Sequence, residues 1–212
     1  ITLKDGSEIA AGAVIVATGA YFRKQGCPGE KKYTGMGVSY CAVCDAAFFE
    51  DLEVAVIGGG NTAVEEACYL TGFASKVYIV HRRDEFRADR LVVEHALANP
   101  KIVPVMDSVL ESIEGSDMVE KIVVRNVKTD EKREIPLSGV FVFIGTLPND
   151  EYVRGLLETD SGGWIVTDDK LQTSVPGIFA AGDVRNTSLR QVVTAAGDGA
   201  RAAMSAYAYL QH

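Results

Sequence analysis

The chain has 212 residues, 47% of them hydrophobic and 24% charged, a balance that supports one or two apolar cores and excludes intrinsic disorder as its main character. A net charge of −8 offers no basic field for phosphate backbones or anionic lipid, so neither nucleic acid nor membrane is an expected partner. No apolar run approaches the roughly 20 residues of a spanning helix, and the opening ITLKDGSE lacks the basic and apolar regions of a signal peptide, which makes the cytoplasm the expected location.

The chain opens with a hairpin pattern around Asp5-Gly6, followed by an apolar strand within IAAGAVIVATG. Next comes SYCAVCDAAFF (39–49), which sets Cys41 and Cys44 two residues apart with Asp45 directly behind them. Four cysteines are too few for a disulfide scaffold at this length, so the CxxC reads as a redox or metal device. A closed zinc site needs two further ligands, and Cys27, Cys68 and the three histidines form no second pair at the usual spacing; no metal is expected. The short spacer instead allows a small disulfide ring, in which one thiolate exchanges with an external disulfide and its neighbour resolves the mixed species. A carboxyl group beside a developing thiolate keeps its proton because like charges penalise double ionisation, so Asp45 is placed to protonate a leaving sulfur. An Asp there also suits the N-cap of a following helix, and both roles stay open. Cys27 and Cys68 read as packing residues.

The segment EVAVIGGGNTAVEEACYL predicts a strand over 54–57, a turn at Gly58-Gly59-Gly60, and a helix over about 62–70 whose start carries Thr62 and Glu65 at capping-box spacing. A second strand, KVYIV (76–80), and a helical stretch over 86–98 bounded by Asn99-Pro100 complete a βαβ unit. Gly58-x-Gly60-x-x-Ala63 fits the dinucleotide fingerprint, in which missing side chains admit a pyrophosphate to the helix N-terminus. A plain tight turn is the alternative; the position between strand and helix favours the nucleotide.

An NAD site usually places an acid at the end of the second strand, about 20 residues beyond the glycines. Here the strand runs into HRRDEFR, and the forks of Arg82, Arg83 and Arg87 suit a 2′-phosphate, with His81 as a supporting contact; NADPH is therefore expected. Against this, Asp84, Glu85 and Asp89 stand close enough in sequence to neutralise the arginines as an ordinary solvated helix start.

Short strands follow over about 109–114, 119–127 and 132–137, with KTDE as a hairpin turn, and then the apolar run VFVFIG (140–145). A hairpin leading into an apolar strand repeats the order seen at the start, which predicts two domains of one architecture. The last stretch reads as a strand over 177–181, a turn at Gly182-Asp183, and a helix from about Gln191. It is too short to bury a core alone and is assigned to the first domain. The expected fold is α/β, with two Rossmann-like, three-layer ββα nucleotide-binding domains: residues 1–22 and 145–212 form an incomplete FAD domain, and 23–144 form an inserted NADPH domain carrying the CxxC. A flavin is implied because nicotinamides and disulfides do not exchange electrons efficiently by themselves. Asp183 at the Gly-Asp turn can bind a ribityl hydroxyl, and the helix N-terminus behind it can face a phosphate or the ring.

Taken together, CAVCD, VAVIGGGNTAVEEA, HRRDEFRA, PGIFAAGDV and RQVVTAAGDGARAA resemble, in order and spacing, the low-molecular-weight thioredoxin reductases of bacteria, along essentially the whole chain. The resemblance implies a homodimeric flavoprotein that passes hydride from NADPH through FAD to the CxxC disulfide and on to oxidised thioredoxin. It implies Cys41 and Cys44 as the redox pair and Asp45 as proton donor. Gly58, Gly60, Asn61, Thr62 and Ala63 would surround NADPH, Arg82, Arg83 and Arg87 its 2′-phosphate, and Asp183, Arg190, Gln191 and Val192 the FAD. Rotation of the NADPH domain is implied as well, with hinges near 21–25 and 145–148. The family's opening strand-GxGxxG-helix for FAD has no counterpart here, so weak FAD binding by these residues is a further expectation. Two other readings remain: a related flavin-dependent disulfide reductase or dithiol oxidase, and an NADPH-binding module without turnover.

Overall fold

The computed structural model describes residues 1–211, which divide into two compact units: Ile1–Tyr21 with the segment from Thr146, and Phe22–Gly145. The first unit opens with β1 (Val14–Val16) and β2 (Ala20–Phe22). The second contains α1 (Glu30–Tyr33), β3 (Val38–Ser39), α2 (Ala42–Asp45), a 3-10 turn (Ala46–Phe49), β4 (Glu53–Ile57), α3 (Asn61–Leu70), β5 (Lys76–Val80) and α4 (Arg90–Leu97). It continues through β6 (Ile102–Val105), β7 (Ser108–Glu114), β8 (Lys121–Asn126), β9 (Lys132–Pro136) and β10 (Gly139–Val142). The chain then returns to the first unit with β11 (Thr146–Pro148), β12 (Ile178–Ala180), a 3-10 turn (Gly182–Val184) and α5 (Val192–Leu210).

In the Phe22–Gly145 unit, five strands form a parallel sheet in the order β3-β10-β4-β5-β6. Alternation along β4 explains its layers. Val54 and Val56 pack on Ala63, Val64, Ala67 and Leu70 of α3, whereas Ala55 and Ile57 join Leu110, Ile113, Ile122, Val124 and Ile135 of the antiparallel β7-β8-β9 sheet. Both faces of the parallel sheet are thereby covered, giving the expected three layers. Each fully buried aliphatic side chain here contributes about 1.5–3 kcal/mol.

Two local expectations are corrected. The Thr62/Glu65 capping box does not form: α3 begins at Asn61, with Gly60 at the N-cap and no side-chain cap bond. The helix after β5 begins at Arg90 rather than near Phe86, because Arg87 N–H donates to Gly59 O at 2.7 Å and Phe86 packs beside His81, holding the intervening loop against the glycine turn. The sequence reading also left out α1, β3 and β6. Helix α1 is held by Glu30, a buried residue whose carboxylate accepts from Gln25 N, Gly26 N and the Tyr40 hydroxyl.

In the other unit, the Asp5-Gly6 hairpin is closed by Thr2 facing Glu8 and by Ser7 bonding the Asp5 carboxylate through both its N–H and its hydroxyl. Strand β1 pairs in parallel with β12. Ala202 and Ala206 of α5 pack against Phe179, Ala181 and Leu171 on one side, while Val16, Leu157, Ile165, Ala180 and Val184 make a second cluster. Among the described residues no helix is long and apolar enough to cross a membrane.

Candidate functional site

Cys41 is the extended N-cap of α2, and its sulfur is bonded to that of Cys44 with the Cα atoms 5.3 Å apart. Ala42 and Ala46 are fully buried beneath the turn, and these small side chains let the disulfide segment lie close on the core. Cys44 and Val43 are exposed, so the bridge sits at the surface of its unit. Asp45 occupies the N-cap position of the following 3-10 turn but caps nothing with its side chain. Its Oδ2 instead accepts from the hydroxyl of buried Ser39 at 2.6 Å, and that same Ser39 oxygen accepts from Cys41 N–H at 3.1 Å. Of the two roles open for Asp45, the geometry therefore disfavours the cap. Ser39 is a residue that sequence reasoning missed.

The remaining thiols are poor nucleophiles. Burial, and secondarily the Glu30 carboxylate, pushes Cys27 up to about 11, and burial likewise raises Cys68. Both pack against the cores of their unit. Among the described residues no group of His, Cys, Asp or Glu is gathered as a metal site.

In the same unit, the three glycines after β4 have different reasons to lack side chains. A Cβ on Gly58, whose φ is +151°, would lie 2.4 Å from Phe143 O, and one on Gly59 would lie 2.3 Å from His81 Nδ1. Gly60 faces open space, with nothing within 4 Å of its would-be Cβ. Ala63 is fully buried behind Gly58, and Asn61 and Thr62 are exposed on the first turn of α3. The N-terminus of this helix has no side-chain cap, and an open backbone beside unpaired N–H groups suits an anion.

His81, Arg82, Arg83 and Arg87 follow β5. Arg82, Arg83 and Arg87 are exposed, and no carboxylate among the described residues lies within ion-pair distance of them. Two of the three acids that could have neutralised them are engaged elsewhere. Asp84 pairs with Lys128 at 3.2 Å, and Lys128 also holds Asp107 at 2.9 Å. Asp89 accepts from Asn61 Nδ2 at 2.9 Å and donates its N–H to Asn61 Oδ1 at 2.7 Å. His81 is buried, its Nε2 has no hydrogen-bond partner, and burial followed by the charges of Arg87, Arg83 and Arg82 lowers its pKa, so the ring is neutral. This constellation fits a nucleotide with an extra phosphate.

The Ile1–Tyr21 and Thr146 onward unit carries the second predicted cluster. Gly182 has φ +73°, a left-handed turn that favours glycine. Asp198 pins this turn by accepting from Gly182 N at 3.2 Å and Arg185 Nε at 2.8 Å, a role the sequence did not disclose. The Arg190 guanidinium lies 3.6 Å from the centre of the Trp164 ring and donates to Asp183 O at 3.3 Å. Gln191 caps α5 through a reciprocal capping box with Thr194, and Val192 is exposed. Asp183 Oδ1 is buried and has no hydrogen-bond partner among the described residues, so a hydroxyl donor, such as the ribityl chain of FAD supplies, fits there.

A family model for the pyridine nucleotide-disulphide oxidoreductases matches residues 1–199. The chain is 52% identical, over 97% of its length and 67% of the relative's, to a thioredoxin reductase of Peptoclostridium acidaminophilum. It is 48% identical, over 99% of its length and 67% of the relative's, to one of Bacillus subtilis (strain 168). Among solved structures, thioredoxin reductase from Streptococcus pyogenes MGAS5005 superposes with a TM-score of 0.90 at 52% identity, covering 94% of this chain and 65% of that one. That from Giardia duodenalis superposes with 0.92 at 40% identity, covering 99% and 69%. The chain thus spans about two thirds of the length of the relatives it matches.

Proposed function

The chain belongs to the pyridine nucleotide-disulphide oxidoreductase family, within its thioredoxin reductases, and on that premise we propose that it takes hydride from NADPH and delivers two electrons, by way of FAD and the Cys41–Cys44 disulfide, to oxidised thioredoxin. The observation that carries this reading is the joining, in one compact unit, of an exposed disulfide and a glycine turn flanked by three arginines with no acid partner among the described residues.

On this reading Phe22–Gly145 is the NADPH-binding domain and the other unit contributes to FAD binding. Gly58, Gly60, Asn61, Thr62 and Ala63 admit the pyrophosphate to the open start of α3. Arg82, Arg83 and Arg87 hold the 2′-phosphate with charge-assisted bonds, and neutral His81 supports the turn from beneath. Asp183, with Arg190, Gln191 and Val192, holds FAD, which when bound supplies the hydride acceptor that links nicotinamide to sulfur. Once Cys41 and Cys44 are dithiol, one thiolate attacks the substrate disulfide, the other resolves the mixed species, and Asp45 returns a proton to the departing sulfur. A homodimer in the cytoplasm is part of the same proposal, supported by the family relationship and checked by sedimentation and cell fractionation.

Steady-state reduction of thioredoxin by NADPH with FAD supplied tests this reading. Turnover that is lost in both Cys41→Ser and Cys44→Ser supports it. Flavin reduction by NADPH without any transfer to thioredoxin would favour a related reductase with another disulfide substrate, and NADPH binding without flavin reduction would favour a binding module.

A further inference from the structure

We propose that Ser39 is a positioning residue for the proton donor Asp45, holding its carboxyl group in one place through both of its protonation states. The inference rests on the reading that Cys41 and Cys44 exchange with a substrate disulfide. Ser39 ends β3 and is fixed by pairing of that strand, where it stands opposite Phe141 of β10. It is 5% exposed, and its hydroxyl is the only side-chain partner of Asp45 among the described residues.

A hydroxyl has one proton and two lone pairs. Cys41 N–H occupies one lone pair at 3.1 Å. The proton has two acceptors within reach, Asp45 Oδ2 at 2.6 Å and Cys41 O at 3.3 Å. While Asp45 is a carboxylate, the hydroxyl donates to it. When Asp45 carries its proton, the hydroxyl turns to Cys41 O and accepts from Asp45 through the second lone pair. Neither state leaves a half-buried polar group unpaired, so the acid discharges and recharges without leaving its bond to Ser39.

A thiolate of the reduced pair attacks one sulfur of the substrate, a new S–S bond forms, the substrate S–S bond breaks, and its electron pair leaves on the second sulfur. Asp45 gives that sulfur its proton. The other cysteine thiol then passes its proton back to Asp45 and attacks the mixed disulfide at the first cysteine's sulfur. Cys41–Cys44 closes, the remaining substrate sulfur leaves as a thiolate and takes the Asp45 proton, and the substrate departs as two thiols with Asp45 left a carboxylate. Two electrons have moved from the pair to the substrate.

The dependence on leaving group separates positioning from a general structural role. An alkyl thiolate leaves poorly without a proton, whereas an aromatic thiolate leaves unassisted. The FAD-loaded protein, reduced with dithiothreitol and desalted anaerobically, is mixed in a stopped flow with hydroxyethyl disulfide and, separately, with a nitrobenzoate aryl disulfide. Ser39→Ala is expected to slow the alkyl reaction about tenfold and to leave the aryl reaction within about twofold of the parent. Asp45→Asn should show the same asymmetry more strongly, and Ser39→Thr, which keeps the hydroxyl, should recover most of the alkyl rate. Parental rates for Ser39→Ala on both disulfides, or equal losses on both, would overturn the positioning role while leaving the proposed function standing. A parent dithiol that reduces neither disulfide would instead remove the proposed function, and this inference with it.

Discussion

Replacing Arg82 and Arg83 together by Ala should change which nicotinamide nucleotide the protein prefers. A 2′-phosphate carries roughly −1.5 to −2 charges at neutral pH. A unit charge about 4 Å away interacts with an effective strength between about 1 kcal/mol in bulk water and 4 kcal/mol near a protein surface. Both arginines are exposed, which places them toward the weaker end, so each is assigned about 1–1.5 kcal/mol after screening and side-chain ordering. Asp84 is held by Lys128 and Asp89 by Asn61, and no carboxylate among the described residues, Glu85 included, lies within ion-pair distance of either arginine, so no correction for competing acids is applied. The two losses together come to about 2–3 kcal/mol, or an increase of about 30- to 150-fold in the dissociation constant for NADPH. NADH lacks the phosphate, and its constant should move less than about twofold on the same arithmetic. Titration calorimetry of parent and double variant with each nucleotide measures the difference. In the parent, the NADPH preference should also shrink as salt rises from about 0.1 to 1 M, because the screening length falls from about 10 to 3 Å. A double variant that keeps the parental preference, or a parental preference indifferent to salt, would refute the assignment of these arginines to the 2′-phosphate.

The neighbouring glycines should respond oppositely to one added methyl group. Gly60→Ala, with open space at its Cβ, should leave the melting temperature nearly unchanged and weaken NADPH, whereas Gly59→Ala, meeting His81 Nδ1 at 2.3 Å, should destabilise the unit itself; calorimetric melting with and without nucleotide separates the two, and equal effects would contradict the turn geometry. His81 gives a pH dependence: its folded pKa is lowered, so below its ordinary value of about 6.5 the unfolded chain gains a proton that the folded chain resists, and stability falls as pH drops through that region. Urea midpoints across this range should therefore fall less steeply in His81→Asn than in the parent, and identical slopes would exclude His81 as the cause. Cys27, held up to about 11, should be alkylated at pH near 8 about two orders of magnitude more slowly than an ordinary surface thiol; peptide mapping that found it modified at the ordinary rate would contradict its burial beside Glu30.

Much of the Phe22–Gly145 unit was legible in the sequence because its signals are local. The buried strands β4 and β5 are unbroken apolar runs, and the glycines between β4 and α3 are neighbours in the chain. Strand β6 escaped because IVPV is short and contains Pro104, which reads as a breaker. The strand lies at the edge of the sheet, where a residue without an N–H is tolerated. Thr62 and Glu65 have capping-box spacing without forming the box, because the helix starts two residues earlier than their pattern implies, with Gly60 rather than Thr62 at the N-cap. The residues proposed for the cofactors stood out where a motif gathers them, as in HRRDEFR. The partners that set their geometry did not, because those contacts span the fold: Asn61 meets Asp89 across 28 residues, Asp198 meets Gly182 across 16, and Lys128 reaches Asp84 across 44. Ser39 is only six residues from Asp45, yet a serine before CxxC carries no periodic or spacing signal, and only the path of the chain from β3 into α2 aims its hydroxyl at the acid.

Counting thiols after anaerobic exposure of the FAD-loaded protein to excess NADPH tests the central claim most directly. Alkylation under denaturing conditions followed by peptide mass analysis should find Cys41 and Cys44 labelled only when NADPH was present. A pair that stays bonded while the flavin absorbance bleaches would show that the electrons do not reach these sulfurs.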